Sequence, residues 1–296
     1  MGSSHDGTEP HERIASMMDR KLTIAPGAAT MQSALAADQI DVWTWRLRVA
    51  DIELVPLIEL LSVDERARVA RLAFAQDQAQ FIISRARLRQ ILARYLALRA
   101  DAIRFSYGDH GKPTLSRYQS APFFNLSHSG EFAAVAVTHC GEVGIDIEQI
   151  RPVGGEIALR FFTEGEKATL ALLSGREWLE AFYKCWTRKE AVLKAHGKGL
   201  SGGLASFDVS LARDATARPL CLQGGLPGSP RLGSIQDLPL IAGFAGAIAV
   251  RTERAPPTLR HFELSQAVPE HRAADWPMTE RPDVCLQRHA IPATGL

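Results

Sequence analysis

The chain has 296 residues, more than one ordinary domain needs, and 46% of them are hydrophobic and 23% charged, a composition that suits a globular protein with a sizeable core. Lysines and arginines number 34 against 33 acidic residues, a net charge of +1, so there is no global field to hold a nucleic-acid backbone or an anionic membrane, and any basic site must be local. No apolar run approaches the roughly 18 residues that cross a bilayer. The four cysteines, Cys140, Cys185, Cys221 and Cys285, are scattered without a C-x-x-C pair. Neither a zinc cluster nor a disulfide framework is indicated, and reduced thiols in a cytoplasmic setting are expected. The N-terminus lacks the charged start and apolar stretch of a secretory signal.

Residues 1–37 are polar and without periodicity, which predicts an irregular N-terminal tail. Residues 42–49 alternate in the manner of a strand with one apolar face. Ser62, with Glu65 three positions on, has the spacing of a capping box, and a helical pattern then runs to about Arg99, with a break near Gln76 to Gln78. Residues 132–138 and 143–150 are apolar, β-branched runs separated by His139, Cys140, Gly141 and Glu142, which predicts a hairpin. After Pro152 the pattern turns helical through residues 157–173 and 177–195, then strand-like at 207–211 and 244–250. From residue 255 onward Pro256, Pro257, Pro269, Pro277, Pro282 and Pro292 punctuate the chain, which predicts a second irregular tail over 255–296. Each half between the tails reads as strand, helices, strands. Two α+β halves, residues 38–141 and 142–254, meeting near Gly141 to Gly144, fit the usual domain size, although no repeat is visible residue by residue.

In the run VGIDIE (143–148), a strand's period of two puts Val143, Ile145 and Ile147 on one face and Asp146 and Glu148 on the other. Neighbouring carboxylates repel unless a cation lies between them, and hard oxygen donors suit magnesium, which takes few carboxylates together with substrate phosphates. A half-buried strand with a solvated acidic face shows the same alternation. Along residues 178–195, Phe182, Cys185, Trp186, Val192 and Leu193 form an apolar stripe with Lys189 in its middle; Glu190 and Lys194 share its shoulder, one turn apart. Two readings stand here: a surface ion pair beside a snorkelling Lys189, or a Glu190 that completes a metal site while Lys194 faces phosphate oxygens. GDHGKP (108–113) is a turn whose glycines admit close backbone approach and whose Lys112 either meets a phosphate or stands in solvent. FNLSHSG (124–130) presents Ser127, His128 and Ser129 at an expected polar turn. No G-x-S-x-G elbow surrounds the serine, so serine-hydrolase chemistry is not indicated.

GKP, FNLSHSG, GIDIE and WTRKEAVLKAHGKGL occur in that order, with RFF and Glu166 between the last two. Together they resemble the motifs of the Sfp-type 4′-phosphopantetheinyl transferases over roughly residues 40–252. The resemblance implies an α+β pseudo-dimer of two similar halves with the active site between them. It implies transfer of the 4′-phosphopantetheine moiety of coenzyme A to a serine of an acyl or peptidyl carrier protein, with release of adenosine 3′,5′-bisphosphate. Asp146, Glu148 and Glu190 would then hold Mg²⁺, and Glu190 and Lys194 would be the catalytic pair. Lys112, Ser127 and His128 would contact coenzyme A phosphates, and Arg68 and Arg85 the adenosine-side phosphates, unless those two form the solvated basic face of an Arg-rich helix. Glu65 stands where some relatives carry a lysine. The two-half architecture makes a monomer the natural expectation, and charge and hydropathy give no reason to expect a nucleic-acid or membrane partner. Two rivals use the same residues: a non-catalytic coenzyme A or carrier-binding module, and a magnesium-dependent pyrophosphohydrolase. Removal of the chain after about residue 255 is expected to leave activity intact.

Overall fold

The computed structural model describes residues 35–48, 54–197, 203–211, 218–219, 233–238 and 242–264. The N-terminal half comprises β1 (Gln39–Arg46), α1 (Leu54–Glu59), α2 (Val63–Val69), α3 (Ala75–Leu96), a two-stranded ribbon of β2 (Ser106–Tyr107) and β3 (Pro113–Thr114), and the pair β4 (Phe123–Ser129) and β5 (Phe132–Thr138). The C-terminal half comprises β6 (Val143–Gln149), α4 (Gly155–Phe161), α5 (Glu164–Ala171), α6 (Gly175–His196), β7 (Arg218–Pro219), β8 (Ser234–Asp237) and β9 (Phe244–Val250). A last strand, β10 (Thr258–Glu263), returns to the first half. The sheets run β10-β1-β5-β4 and β6-β9-β8-β7. In the first half β1 pairs antiparallel with β5, and β5 with β4; in the second β6 pairs antiparallel with β9, and β9 with β8. A helix of 22 residues, α3 or α6, packs on each sheet. This is the α+β pseudo-dimer that the family resemblance implies.

Strand alternation explains how the layers separate. Trp43 and Trp45 of β1 and Ala133, Val135 and Val137 of β5 face α3 in one core. Ile40, Val42, Ala134 and Ala136 point the other way and meet Val143, Ile145, Ile147, Ile248 and Val250 in a core between the two sheets. The even positions of β6 are left to face α6. Both faces of β1 and β6 are thus covered, and the apolar material lost from water on the middle layer holds the halves together. Among the described residues no helix is long and apolar enough to cross a membrane.

Several expectations are corrected. β5 and β6 are not a hairpin: β5 pairs with β1 and β4, β6 pairs with β9, and residues 139–142 carry the chain from one sheet to the other. Two apolar runs joined by a short glycine-containing loop can stack face to face as well as pair edge to edge, and local pattern does not separate the cases. The helical break falls between Val69 and Ala75, a few residues before its expected place. Residues 207–211 form no strand; Phe207 and Val209 are buried from an irregular segment. The segment after 255 is not wholly irregular, because β10 runs parallel to β1 from Gln39↔Thr258 to Thr44↔Glu263. It lies on the sheet edge, where one side of the strand stays open and its apolar signal is weak. The remainder of that tail, and residues 1–34, lie outside the described residues.

Among the described residues of the first half, the buried acids Asp41 and Glu65 have both oxygens partnered. Arg260 of β10 donates to both oxygens of Asp41, at 2.7 and 3.0 Å, and Tyr95 donates to the same carboxylate at 2.7 Å. Phe262 stacks on Trp43 with ring centroids 4.5 Å apart. The expected capping box is present: Glu65 accepts from the Ser62 N–H at 3.0 Å. It also receives Arg85 Nε at 2.9 Å and Arg89 Nε at 2.7 Å. Burial alone would push the Glu65 carboxyl up, but Arg85, the Ser62 N–H and Arg89 outweigh it and hold the pKa below its ordinary value.

Candidate active site

Asp146 and Glu148 project from β6 toward α6, as the period of two requires. Between them and the start of the strand lies Gly144, where an added methyl group would overlap the Ala191 carbonyl and crowd the backbone at Lys194 and Ala195. Only a glycine lets α6 lie directly on the β6 backbone. That close approach brings Glu190 and Lys194, on one side of the helix, onto the carboxylates. Lys194 Nζ stands 2.6 Å from Asp146 Oδ1 and 3.1 Å from Ser127 Oγ. The solvated ion pair is therefore excluded as a description of Lys194, and so is the solvated acidic face, because Asp146 is 3% exposed.

The FNLSHS part of the motif (124–129) lies in strand β4, and only Gly130 is in the turn that follows; the strand's alternation has a use. β6 is the edge of its sheet, so its outward N–H groups need partners from outside. Asn125 Oδ1 accepts from Ile145 N at 2.9 Å, Ser127 Oγ from Ile147 N at 3.3 Å and Ser129 Oγ from Gln149 N at 3.1 Å. Every second side chain of β4 thus replaces a missing strand. Two of the three also touch the acids: Ser127 donates to Asp146 Oδ1 at 3.0 Å and Ser129 to Glu148 Oε2 at 2.6 Å. Asn125 and Ser129 are not among the site residues expected from the sequence; the signal for them is the N-x-S-x-S spacing, which matches a strand better than a turn. His128 points away from this seam and is exposed, with its pKa below the usual value because of partial desolvation and the Lys194 ammonium.

The electrostatics of the acids are unusual. Asp146 Oδ2 and Glu190 Oε1 are buried without a hydrogen-bond partner among the described residues. Burial, only partly countered by Lys194, lifts Asp146 to about 6. Glu190 is lifted to about 6, first by burial and then by the Asp146 charge. Partnerless carboxylate oxygens that repel one another form a donor set to which a hard divalent cation is suited. As the side chains stand, no three His, Cys, Asp or Glu residues among those described converge on a metal-sized point. Lys194 holds one oxygen of Asp146 and Ser129 one of Glu148, and Asp146 Oδ2 and Glu190 Oε1 are the open donors that lie buried.

The remaining expected residues are placed less simply. Lys112 does not present its ammonium to a phosphate site: Nζ is bound by Glu142 Oε2 at 2.8 Å, Lys194 O at 2.9 Å and Val143 O at 3.1 Å. Arg85 is bound by Glu65 and donates to Tyr107 at 2.8 Å, joining α3 to the β2–β3 ribbon. Arg68 is exposed with its guanidinium 5.2 Å from the Phe81 ring, and Arg85 flanks the same ring at 6.0 Å. The two arginines are therefore grouped with each other around Phe81. Lys189 does not snorkel. It is 0% exposed, pairs with Glu166 at 2.9 Å and donates to the carbonyls of Leu204 and Phe207, while Glu166 also accepts from Val209 N at 2.8 Å. This buried pair pins the irregular segment 203–211 against α6.

Comparison with known proteins divides the chain at the same connector. The family model for the N-terminal part of 4′-phosphopantetheinyl transferases matches residues 44–140, and that for the 4′-phosphopantetheinyl transferase superfamily matches residues 142–249. The 4′-phosphopantetheinyl transferase HetI of Nostoc is 37% identical over 188 residues, covering 62% of this chain and 79% of that one. Psf-1 of Bacillus pumilus is 35% identical over 56% of this chain and 70% of its own, and Sfp of Bacillus subtilis 34% over 53% and 69%. The chain belongs to the 4′-phosphopantetheinyl transferase family.

Proposed function

We propose that this protein transfers the 4′-phosphopantetheine moiety of coenzyme A to a serine of an acyl or peptidyl carrier protein, converting the apo carrier to the holo form and releasing adenosine 3′,5′-bisphosphate. The observation that carries the chemistry is the pair of buried, partnerless carboxylate oxygens on Asp146 and Glu190 beside the Lys194 ammonium. Asp146, Glu148 and Glu190 would hold Mg²⁺, which when bound offsets the charge of the pyrophosphate.

The serine hydroxyl attacks the phosphorus that carries the pantetheine arm, and the bond from that phosphorus to the bridging oxygen breaks with its electron pair leaving on the nucleotide. Glu190 accepts the serine proton. Lys194 supplies positive charge to the departing phosphate. Ser127 and Ser129 orient the acids while tying the two halves together, so the site exists only where the halves meet. His128, exposed beside Lys194, would meet coenzyme A, and Arg68 and Arg85 with their shared Phe81 ring are the candidates for the adenosine-side phosphates. The proposal includes a cytoplasmic, monomeric enzyme.

The test is to incubate the protein with coenzyme A, Mg²⁺ and an apo carrier and to weigh the carrier. A gain of one phosphopantetheine group is expected. Nucleotide release without that gain would identify a pyrophosphohydrolase, and neither product would identify a binding module. A panel of fatty-acid, polyketide, nonribosomal-peptide and lysine-biosynthesis carriers then ranks the partners.

A further inference from the structure

Lys112 lies in the loop between β2 and β3 of the first half, yet each of its three acceptors belongs to the second half or to the connector that leads into it. Glu142 is the connector's last residue, Val143 opens β6, and Lys194 lies in the final turn of α6. An ammonium has three protons to donate, and here each has an acceptor at 2.8 to 3.1 Å. The side chain is 14% exposed. Its surroundings are electronegative twice over, from the Glu142 carboxylate and from the carbonyl end of α6. Moving this cation onto a phosphate would uncover three acceptors at once.

The last turn of α6 is where such a tie matters. Terminal carbonyls of a helix lack their usual donors, and the Lys194 carbonyl has Gly197 N at 3.2 Å and Lys112 Nζ at 2.9 Å. The side chain of that same residue carries the ammonium that meets Asp146 and Ser127. One lysine thus holds the backbone of the other. We infer that Lys112 is a positioning residue: it ties the final turn of α6 to the start of β6 across the two halves, fixes where the Lys194 ammonium stands, and makes no contact with the phosphates of coenzyme A. The inference rests on the proposed transfer reaction for its kinetic consequence, but the tie itself does not.

Two measurements on the full chain test it, the first without any substitution. Acetic anhydride labelling with mass-spectrometric readout should leave Lys112 unmodified both with and without coenzyme A; labelling that coenzyme A suppresses would make Lys112 a ligand contact and overturn the inference. The second compares Lys112→Met and Lys112→Arg with wild type in transfer kinetics, calorimetric coenzyme A binding and amide exchange. For Lys112→Met, coenzyme A Kd should stay within about threefold of wild type, kcat should fall by about tenfold or more because small misplacements are costly, and exchange at the end of α6 should be faster. Lys112→Arg, which can still donate to carbonyls and a carboxylate, should recover part of kcat. A Kd weakened by about tenfold with kcat and exchange unchanged would overturn the inference, as would no change in any of the three. Should wild type modify no carrier, the labelling and exchange results still decide the tie, so failure of the reaction and failure of the tie are told apart.

Discussion

The two halves repeat one plan, a 22-residue helix on a sheet whose opening strand pairs with a later one, β1 with β5 and β6 with β9, and they treat buried carboxylates in opposite ways. In the first half Asp41 and Glu65 are surrounded by arginines and a tyrosine, with both oxygens of each engaged. In the second, Glu166 is satisfied in the same manner by Lys189, but Asp146 and Glu190 each retain a buried oxygen without a partner among the described residues. The pKa values differ accordingly: Glu65 is held low despite its burial, whereas Asp146 and Glu190 are lifted to about 6. A scaffold that satisfies its structural acids this thoroughly leaves acids short of partners where a ligand is to supply them.

Substitutions on the two sides should therefore behave differently. The largest effect is expected for Asp146→Asn, which should lower carrier modification by on the order of 10³-fold, because it removes charge stabilisation at the reacting phosphate; circular dichroism should show an unchanged fold. Retained activity in that variant would remove Asp146 from the machinery. Next comes deletion after residue 255, which takes away β10 and leaves Asp41, 0% exposed, without Arg260. Stranding a buried charge costs about 3–5 kcal/mol, so the melting temperature should fall by about 10 °C or more. A truncated chain that melts like the full one would restore the view of this segment as a dispensable tail.

A matched pair of neutralising changes sharpens the contrast in sign. The Glu65 pKa is depressed on folding, so its contribution to stability is present above the unfolded value and is lost as pH falls through the folded one. Glu65→Gln should thus destabilise the protein at about pH 7.5. Glu190 behaves in reverse: its pKa is raised from 4.5 to about 6, so whatever it contributes is present below 4.5 and disappears as pH rises through about 6. Glu190→Gln should raise the melting temperature of the ligand-free protein at about pH 7.5 by about 2–4 °C, after discounting for partial exposure, and change it little near the ordinary value of 4.5. Thermal scans of both variants at the two pH values check this.

What could be read from the sequence was what depends on near neighbours. The period of two in β6 placed Asp146 and Glu148 together, the four-residue step on α6 placed Glu190 with Lys194, and Ser62 with Glu65 marked a helix start. Long-range pairing was not readable. Nothing local in residues 132–150 says that β5 and β6 join different sheets, and nothing in the Pro-rich segment says that Arg260 will meet Asp41, 219 residues earlier. Lys112 and Lys189 show the same limit for side chains. A lysine's role is set by which carbonyls and carboxylates the fold brings to it, and for both of these the partners come from distant segments. Order and spacing of the motifs supplied the family, while the geometry supplied the assignment of Lys112 to α6.

The proposed chemistry depends above all on whether the buried open oxygens of Asp146 and Glu190 take up a divalent cation. Electron paramagnetic resonance titration of Mn²⁺, as a magnesium surrogate, into the protein with coenzyme A tests this directly. Wild type should take up a single ion per chain, and Asp146→Asn and Glu190→Gln should each weaken that uptake by about tenfold or more; absence of binding in wild type, or equal binding in both variants and wild type, would contradict it.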